Sequence, residues 1–123
     1  MKEKYDISNL KELNERAEQL ANEDKIDESV LLFNEILKLD PKNYAANLSM
    51  GNISYFNKDK HKAIKYYINA VKKEFNERDG VMNLCYTLLE VEKQDESQKI
   101  MDAYMSAREN MMKIAIEELE AAL

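Results

Sequence analysis

Residues 51–70 read GNISYFNKDKHKAIKYYINA, and the pattern of this stretch recurs 34 residues away on both sides. Gly51 lies midway between two other small residues, Ala17 and Cys85. The same spacing links two further sets of positions, which are Ser29, Ala63, Ser97 and Phe33, Tyr67, Met101. A fixed period of this length is typical of stacked copies of one supersecondary unit. We therefore predict three repeats, over residues 10–43, 44–77 and 78–111.

Each repeat is predicted to contain two helices. Apolar residues recur every three or four positions, and no segment alternates with the period of two that is typical of a strand. Polar stretches at 22–25 and 57–59 predict turns within repeats, and Asp40 followed by Pro41 predicts a boundary between repeats. The fold predicted is an all-α solenoid of six or seven antiparallel helices. It forms a single domain over residues 8–123, after a short frayed tail over residues 1–7.

The C-terminal segment is predicted to form one long helix, because residues 95–123 contain neither Gly nor Pro. The alternative is a break near Glu109 and Asn110 that separates a last helix. Residues 112–123 are expected to cap the apolar face of repeat three, which would otherwise be exposed. They could instead pair with a second chain and form a homodimer. The residues that would serve either role are Met112, Ile116, Leu119 and Leu123.

The paired helices and their period resemble the tetratricopeptide repeat (TPR) family. Repeat two carries the small and aromatic positions of that family at Gly51, Ala63, Tyr67 and Ala70. Repeat one has Ser29 where the family usually has alanine, and repeat three keeps only the general pattern. The resemblance implies a superhelix in which the first helix of each repeat lines a concave, ligand-binding surface. It also implies that the small residues allow the two helices of a repeat to cross closely.

The concave surface supplies the candidate binding residues. The first helices of repeats two and three carry an apolar stripe beyond the face that the core uses, and contiguous apolar surface is typical of an interaction site. Asn52 offers both a donor and an acceptor to an extended peptide backbone. Alternatively, the C-terminal helix or the curl of the array covers these residues. The candidates for the peptide groove are Leu48, Asn52, Tyr55, Phe56, Met82, Asn83, Tyr86 and Leu89.

The charge of the chain limits the class of partner. Its 18 cationic and 24 anionic side chains give a net charge of −6, which argues against nucleic acid. A local basic run over residues 58–65 is interpreted as a solvated helix face, with a contact for an acidic partner as the alternative. The TPR family's clamp for acidic C-terminal tails is not matched, because Glu18 and Asp79 stand at two of its positions.

No enzymatic site, cofactor or metal site is expected. His61 is the single histidine and Cys85 the single cysteine, and neither has a partner at metal-ligand spacing. One cysteine cannot form an internal disulfide, which is typical of a reducing compartment. With no apolar leader and no membrane-spanning apolar run, a cytoplasmic protein is expected.

The main hypothesis is a non-enzymatic protein–protein interaction module that binds an apolar or aromatic peptide segment. Two alternatives stay open at this point. The first is a self-assembling structural protein that dimerises through its Met-rich C-terminal helix. The second is a small, acidic chaperone of TPR type for a secreted protein.

Overall fold

The computed structural model describes residues 5–123, within which the chain forms seven α-helices and no strand. Consecutive helices pack against one another, which confirms the predicted all-α solenoid. The helices are α1 (Leu10–Asn22), α2 (Ile26–Leu39), α3 (Tyr44–Phe56), α4 (Lys60–Lys73), α5 (Arg78–Glu90), α6 (Gln94–Ser106) and α7 (Glu109–Ala122).

A short 3-10 turn, Ile7–Asn9, precedes α1. The Asp6 carboxylate accepts a hydrogen bond of 3.0 Å from the Ser8 amide, and the Asp6 amide donates one of 3.1 Å to the Asn9 side chain. Such reciprocal capping fixes the entry to a helix. Part of the predicted tail, residues 1–4, lies outside the described residues, whereas Asp6 and Ile7 belong to this capped turn.

The 34-residue period of the sequence is repeated in the helix boundaries and turns of the structure. Helices α1, α3 and α5 begin 34 residues apart, and each ends in the same turn. The residues at the left-handed position are Asp24, Lys58 and Glu92, with φ of 63°, 65° and 62°. In the second turn, the Lys58 amide donates to the Tyr55 carbonyl and the Asp59 amide to the Ser54 carbonyl, both at 2.9 Å. This pair of bonds is a Schellman motif, and it recurs in the other two turns.

The prediction of one C-terminal helix is wrong. Helix α6 begins at Gln94, ends at Ser106, and is followed by a fourth Schellman turn in which Ala107 has φ of 54°. The Ala107 amide donates to the Tyr104 carbonyl at 3.1 Å, and the Arg108 amide to the Ala103 carbonyl at 3.4 Å. The sequence gives no sign of this break because an alanine takes the position that glycine usually occupies. The alternative, a break near Glu109, agrees with the structure.

The buried side chains form two clusters. One joins α1, α2 and α3, and the other joins α4, α5, α6 and α7. In the second cluster α7 packs mainly on α6 and returns to touch α4. Two exposed ion pairs join α7 to these helices. Lys99 on α6 pairs with Glu118 at 2.9 Å, and Lys72 on α4 pairs with Glu120 at 3.0 Å. Helix α7 therefore closes a four-helix arrangement at the C-terminal end.

Small residues let the two helices of a repeat approach closely. A Cβ atom added at Gly51 would lie 2.5 Å from the Cε1 atom of Tyr67, so only glycine fits beside that ring. In repeat one the buried Ser29 hydroxyl donates to the Ala17 carbonyl at 2.7 Å, and in repeat three Ser97 bonds to the Cys85 carbonyl at 3.1 Å. These bonds satisfy buried hydroxyls, which explains how serine replaces alanine here.

Candidate functional site

A cleft of about 290 Å³ lies between α3 and α5, with Tyr67 of α4 at its base. We call it the α3–α5 cleft. Five of the eight predicted groove residues line it, and three other residues complete it. The lining residues are Asn52, Tyr55, Phe56, Tyr67, Asn83, Tyr86, Thr87 and Glu90.

The floor of the α3–α5 cleft is a hydrogen-bonded network centred on Asn52. Its Oδ1 atom accepts bonds from the Tyr67 hydroxyl at 2.7 Å and from the Asn83 Nδ2 at 3.0 Å. Thr87, one turn after Asn83, donates to the Asn83 carbonyl at 2.7 Å. Because two donors converge on Oδ1, the Nδ2 of Asn52 is left as a donor, and no acceptor bonds it within residues 5–123.

Tyr67 links this floor to the core. Its side chain is 2% exposed and belongs to the buried cluster of α4 to α7. Burial, followed by the nearby Tyr55, raises the pKa of Tyr67 to about 12. The hydroxyl therefore stays protonated at neutral pH and remains a donor to Asn52.

The walls of the α3–α5 cleft are exposed and aromatic. Phe56 is 80% exposed and Tyr86 63% exposed, whereas the predicted groove residue Leu89, 46% exposed, does not line the cleft. Tyr55 meets Phe56 edge to face, with ring centroids 5.8 Å apart. This contact orients Phe56 beside the floor, so the cleft combines an apolar wall with a free amide donor.

A charged rim joins three helices at one end of the cleft. The Glu90 carboxylate on α5 accepts hydrogen bonds from the Tyr55 hydroxyl on α3 and from the Lys60 ammonium on α4, the latter at 2.9 Å. The bond from Tyr55 is the main reason that the pKa of Glu90 is lowered, and Lys60 is the second. Glu90 is therefore ionised and already bonded on both oxygens.

The predicted apolar stripe is narrower than expected. Leu48 and Met82 are half-buried and pack against the α4–α7 cluster, so they contribute mainly to the core. The interpretation that the C-terminal helix covers the stripe does not hold, because α7 packs on α6 and α4. Thr87 and Tyr67 were not predicted as site residues. The only sequence feature that could have indicated Thr87 is its position one turn after Asn83.

The residues proposed for self-association mostly lie inside the chain's own core. Met112 and Ile116 are each 2% exposed and Leu119 is fully buried, while Leu123 is 47% exposed. In this fold the first three act as the cap of repeat three and present no surface to a second chain. Cys85 is likewise buried, and burial raises the pKa of its thiol, which argues for a packing role.

Comparison with models of known protein families gives no match, and comparison with curated proteins gives no match either. Across residues 5–123, no helix combines the length and the apolar character needed to cross a membrane.

Proposed function

We propose that this chain is a TPR-type, non-enzymatic protein–protein interaction module that binds an apolar or aromatic peptide segment in the α3–α5 cleft. The observation that carries the proposal is the exposure of Phe56 and Tyr86 beside an Asn52 amide that donates to nothing within residues 5–123. Exposed aromatic side chains at a polar, preorganised floor are the anchors that interfaces favour. The single buried thiol, Cys85, suits a cytoplasmic location.

The TPR assignment is supported by the backbone. Three helix pairs start 34 residues apart, three Schellman turns recur at the same spacing, and a small residue stands at each helix crossing. A repeat array of this kind binds along its inner helices, which here are α1, α3 and α5. The α3–α5 cleft lies on two of them.

The proposed binding mode uses both parts of the cleft. The Nδ2 of Asn52 donates to a carbonyl of an extended peptide, and an apolar side chain of the peptide packs against Phe56 and Tyr86. Truncation of such aromatic anchors typically costs about 2 kcal/mol or more of binding energy. Because Tyr67 and Asn83 hold Asn52 in place, little order has to be imposed on the protein when it binds.

The test is selection of random twelve-residue peptides displayed on phage against the intact chain. The variant F56A/Y86A removes the aromatic walls, and the control I7A/L31A removes two apolar side chains that are 66% and 69% exposed elsewhere. We expect enriched peptides to bind the wild type and the control equally, and to bind the cleft variant at least about tenfold more weakly. Peptides that bind all three proteins equally, or no enrichment at all, would contradict the proposal.

A second candidate function is self-association through an apolar edge where α6 meets α7. Met105 is 74%, Ile114 55% and Met111 38% exposed there, and we call these three residues the C-terminal edge. This surface differs from the one predicted, since Met112, Ile116 and Leu119 are buried. Light scattering with size-exclusion chromatography tests this second function. Self-association through the C-terminal edge requires that the wild type is a dimer and that Ile114→Glu converts it to a monomer.

A further inference from the structure

Beyond Phe56, the α3–α5 cleft continues into a second recess at the turn between α3 and α4. The two recesses share Tyr55, Phe56 and Glu90, so the cleft and this turn are continuous at the aromatic wall. The second recess encloses about 570 Å³. Its remaining lining residues are Lys58, Asp59, Lys60, His61 and Val91.

The charges at this turn are unbalanced. Lys58 and Lys62 are exposed and form no ion pair within residues 5–123. Two carboxylates lie at this turn: Asp59 caps α4 by accepting the Lys62 amide at 3.1 Å through its Oδ1, and Glu90 holds Lys60 and Tyr55. The positive end of the α4 dipole adds to the cationic character. Lys58, Lys60 and Lys62 outnumber Asp59 and Glu90 by one charge, so the turn is locally positive in a chain whose net charge is −6.

We propose that the peptide bound in the α3–α5 cleft is acidic next to its apolar anchor. An apolar or aromatic side chain packs on Phe56 and Tyr86, and an Asp or Glu a few residues along the peptide lies against Lys58, His61 and Lys62. This inference rests on the proposed function and adds the chemistry of the partner. These three residues lie on the α3–α4 turn and the first turn of α4, and not at the inner-helix positions held by Glu18 and Asp79.

Charge complementarity favours this occupant over the other candidates. A basic segment would meet Lys58 and Lys62, which form no ion pair within residues 5–123, and would find both oxygens of Glu90 already bonded. Like charges brought together at an interface suppress binding, whereas complementary charges raise the association rate and set the register of the bound chain. The apolar wall and the basic turn together therefore select for an acidic, apolar sequence.

The first test uses the composition of the peptides selected on phage. We expect Asp or Glu to be enriched within a few positions of the apolar anchor, relative to the unselected library. Enriched peptides that depend on Phe56 and Tyr86 but are neutral or basic would overturn this inference and leave peptide binding intact. An absence of any peptide that depends on Phe56 and Tyr86 would instead remove the proposed function, and this inference with it.

The second test measures affinity with a fluorescein-labelled selected peptide by fluorescence anisotropy. The variant K58E/K62E reverses the charge of two lysines at the turn. The control K42E/K113E makes the same change in net charge at two exposed lysines outside the cleft. We expect about tenfold weaker binding for the turn variant and a small change for the control. Raising NaCl from about 50 mM to about 500 mM should weaken wild-type binding and have less effect on the turn variant.

Folding of the variants is checked by circular dichroism. Lys62→Glu alone places an acidic residue in the first turn of α4, where the helix dipole favours it, so this single variant keeps the test valid if the double variant unfolds. We expect a loss of several-fold for K62E as well. Equal affinity of the wild type, K62E and K58E/K62E for the acidic peptide would overturn the inference.

Discussion

The hydroxyl of Tyr67 donates a hydrogen bond of 2.7 Å to the Oδ1 of Asn52. This bond joins the crossing of α3 and α4 to the floor of the α3–α5 cleft, because the same tyrosine ring leaves no room for a side chain at Gly51. The packing of α3 against α4 and the orientation of the Asn52 amide are therefore coupled. Substitutions at Tyr67 separate the two effects.

We expect Tyr67→Phe to lower the free energy of unfolding by about 1 kcal/mol, which is the typical value of one hydrogen bond. Asn52 then keeps only Asn83 as a donor, so peptide affinity should fall as well. Tyr67→Ala should cost about 3 kcal/mol or more because it leaves a cavity between repeats. Urea denaturation measures both variants. If Phe and Ala at this position destabilise the protein equally, the ring does not fill the space that the structure assigns to it.

Gly51→Ala should destabilise the protein, although alanine is the better helix former by about 1 kcal/mol. The added Cβ would lie 2.5 Å from the ring of Tyr67, whose side chain is 2% exposed and held by its hydrogen bond to Asn52. Gly80→Ala is the matched control, because its Cβ would lie 3.3 Å from Tyr44, which is only half-buried. Thermal unfolding should show a larger fall in melting temperature for Gly51→Ala than for Gly80→Ala. A Gly51→Ala protein that is more stable than the wild type would contradict the close crossing of α3 and α4.

The conformation of Ala107 predicts that alanine-to-glycine substitutions at Ala107 and at Ala121 have opposite effects on the melting temperature. Ala107 has φ of 54°, a conformation that costs a non-glycine residue about 1 kcal/mol, so Ala107→Gly should raise the melting temperature. Ala121→Gly, in the exposed last turn of α7, should lower it because glycine is a poor helix former. Differential scanning calorimetry compares them. A lower melting temperature for both variants would indicate that α6 and α7 form a continuous helix in solution.

Ile116 and Ile114 distinguish the two roles considered for α7. Ile116 is 2% exposed, so Ile116→Glu should lower the stability of a monomer by about 3 kcal/mol or more. Ile114 is 55% exposed, and Ile114→Glu should leave the melting temperature almost unchanged. Light scattering and thermal unfolding are measured on the same samples. A wild-type dimer that Ile116→Glu converts into a stable, folded monomer would contradict the capping role.

The helix pairs could be predicted from the sequence because the small residues at each crossing repeat with the helices themselves. The turns at Asp24 and Lys58 agree with the polar stretches predicted as turns over 22–25 and 57–59. The turn at Ala107 could not be predicted, since alanine is not a residue type that marks the left-handed conformation. One unrecognised turn, at Ala107, decides whether α7 extends from the array or folds back over α4 and α6.

The candidate site was predictable to the same limited extent. Asn52, Phe56 and Tyr86 follow from the positions that face inward in each repeat. The partial burial of Leu48 and Met82 depends on how these two side chains pack against the α4–α7 cluster, which no local sequence pattern reveals. The basic turn was visible in the sequence, but its continuity with the cleft required the position of Phe56.

The most direct test of the account is a two-dimensional ¹H–¹⁵N NMR titration of the intact chain with a selected peptide. If the α3–α5 cleft is the binding site, the amide signals of Asn52, Phe56, Tyr86 and the turn at Lys58 will shift in proportion to occupancy. The signals of Met105 and Ile114 at the C-terminal edge will stay in place. Shifts concentrated at that edge, with α3 and α5 unaffected, would contradict the account.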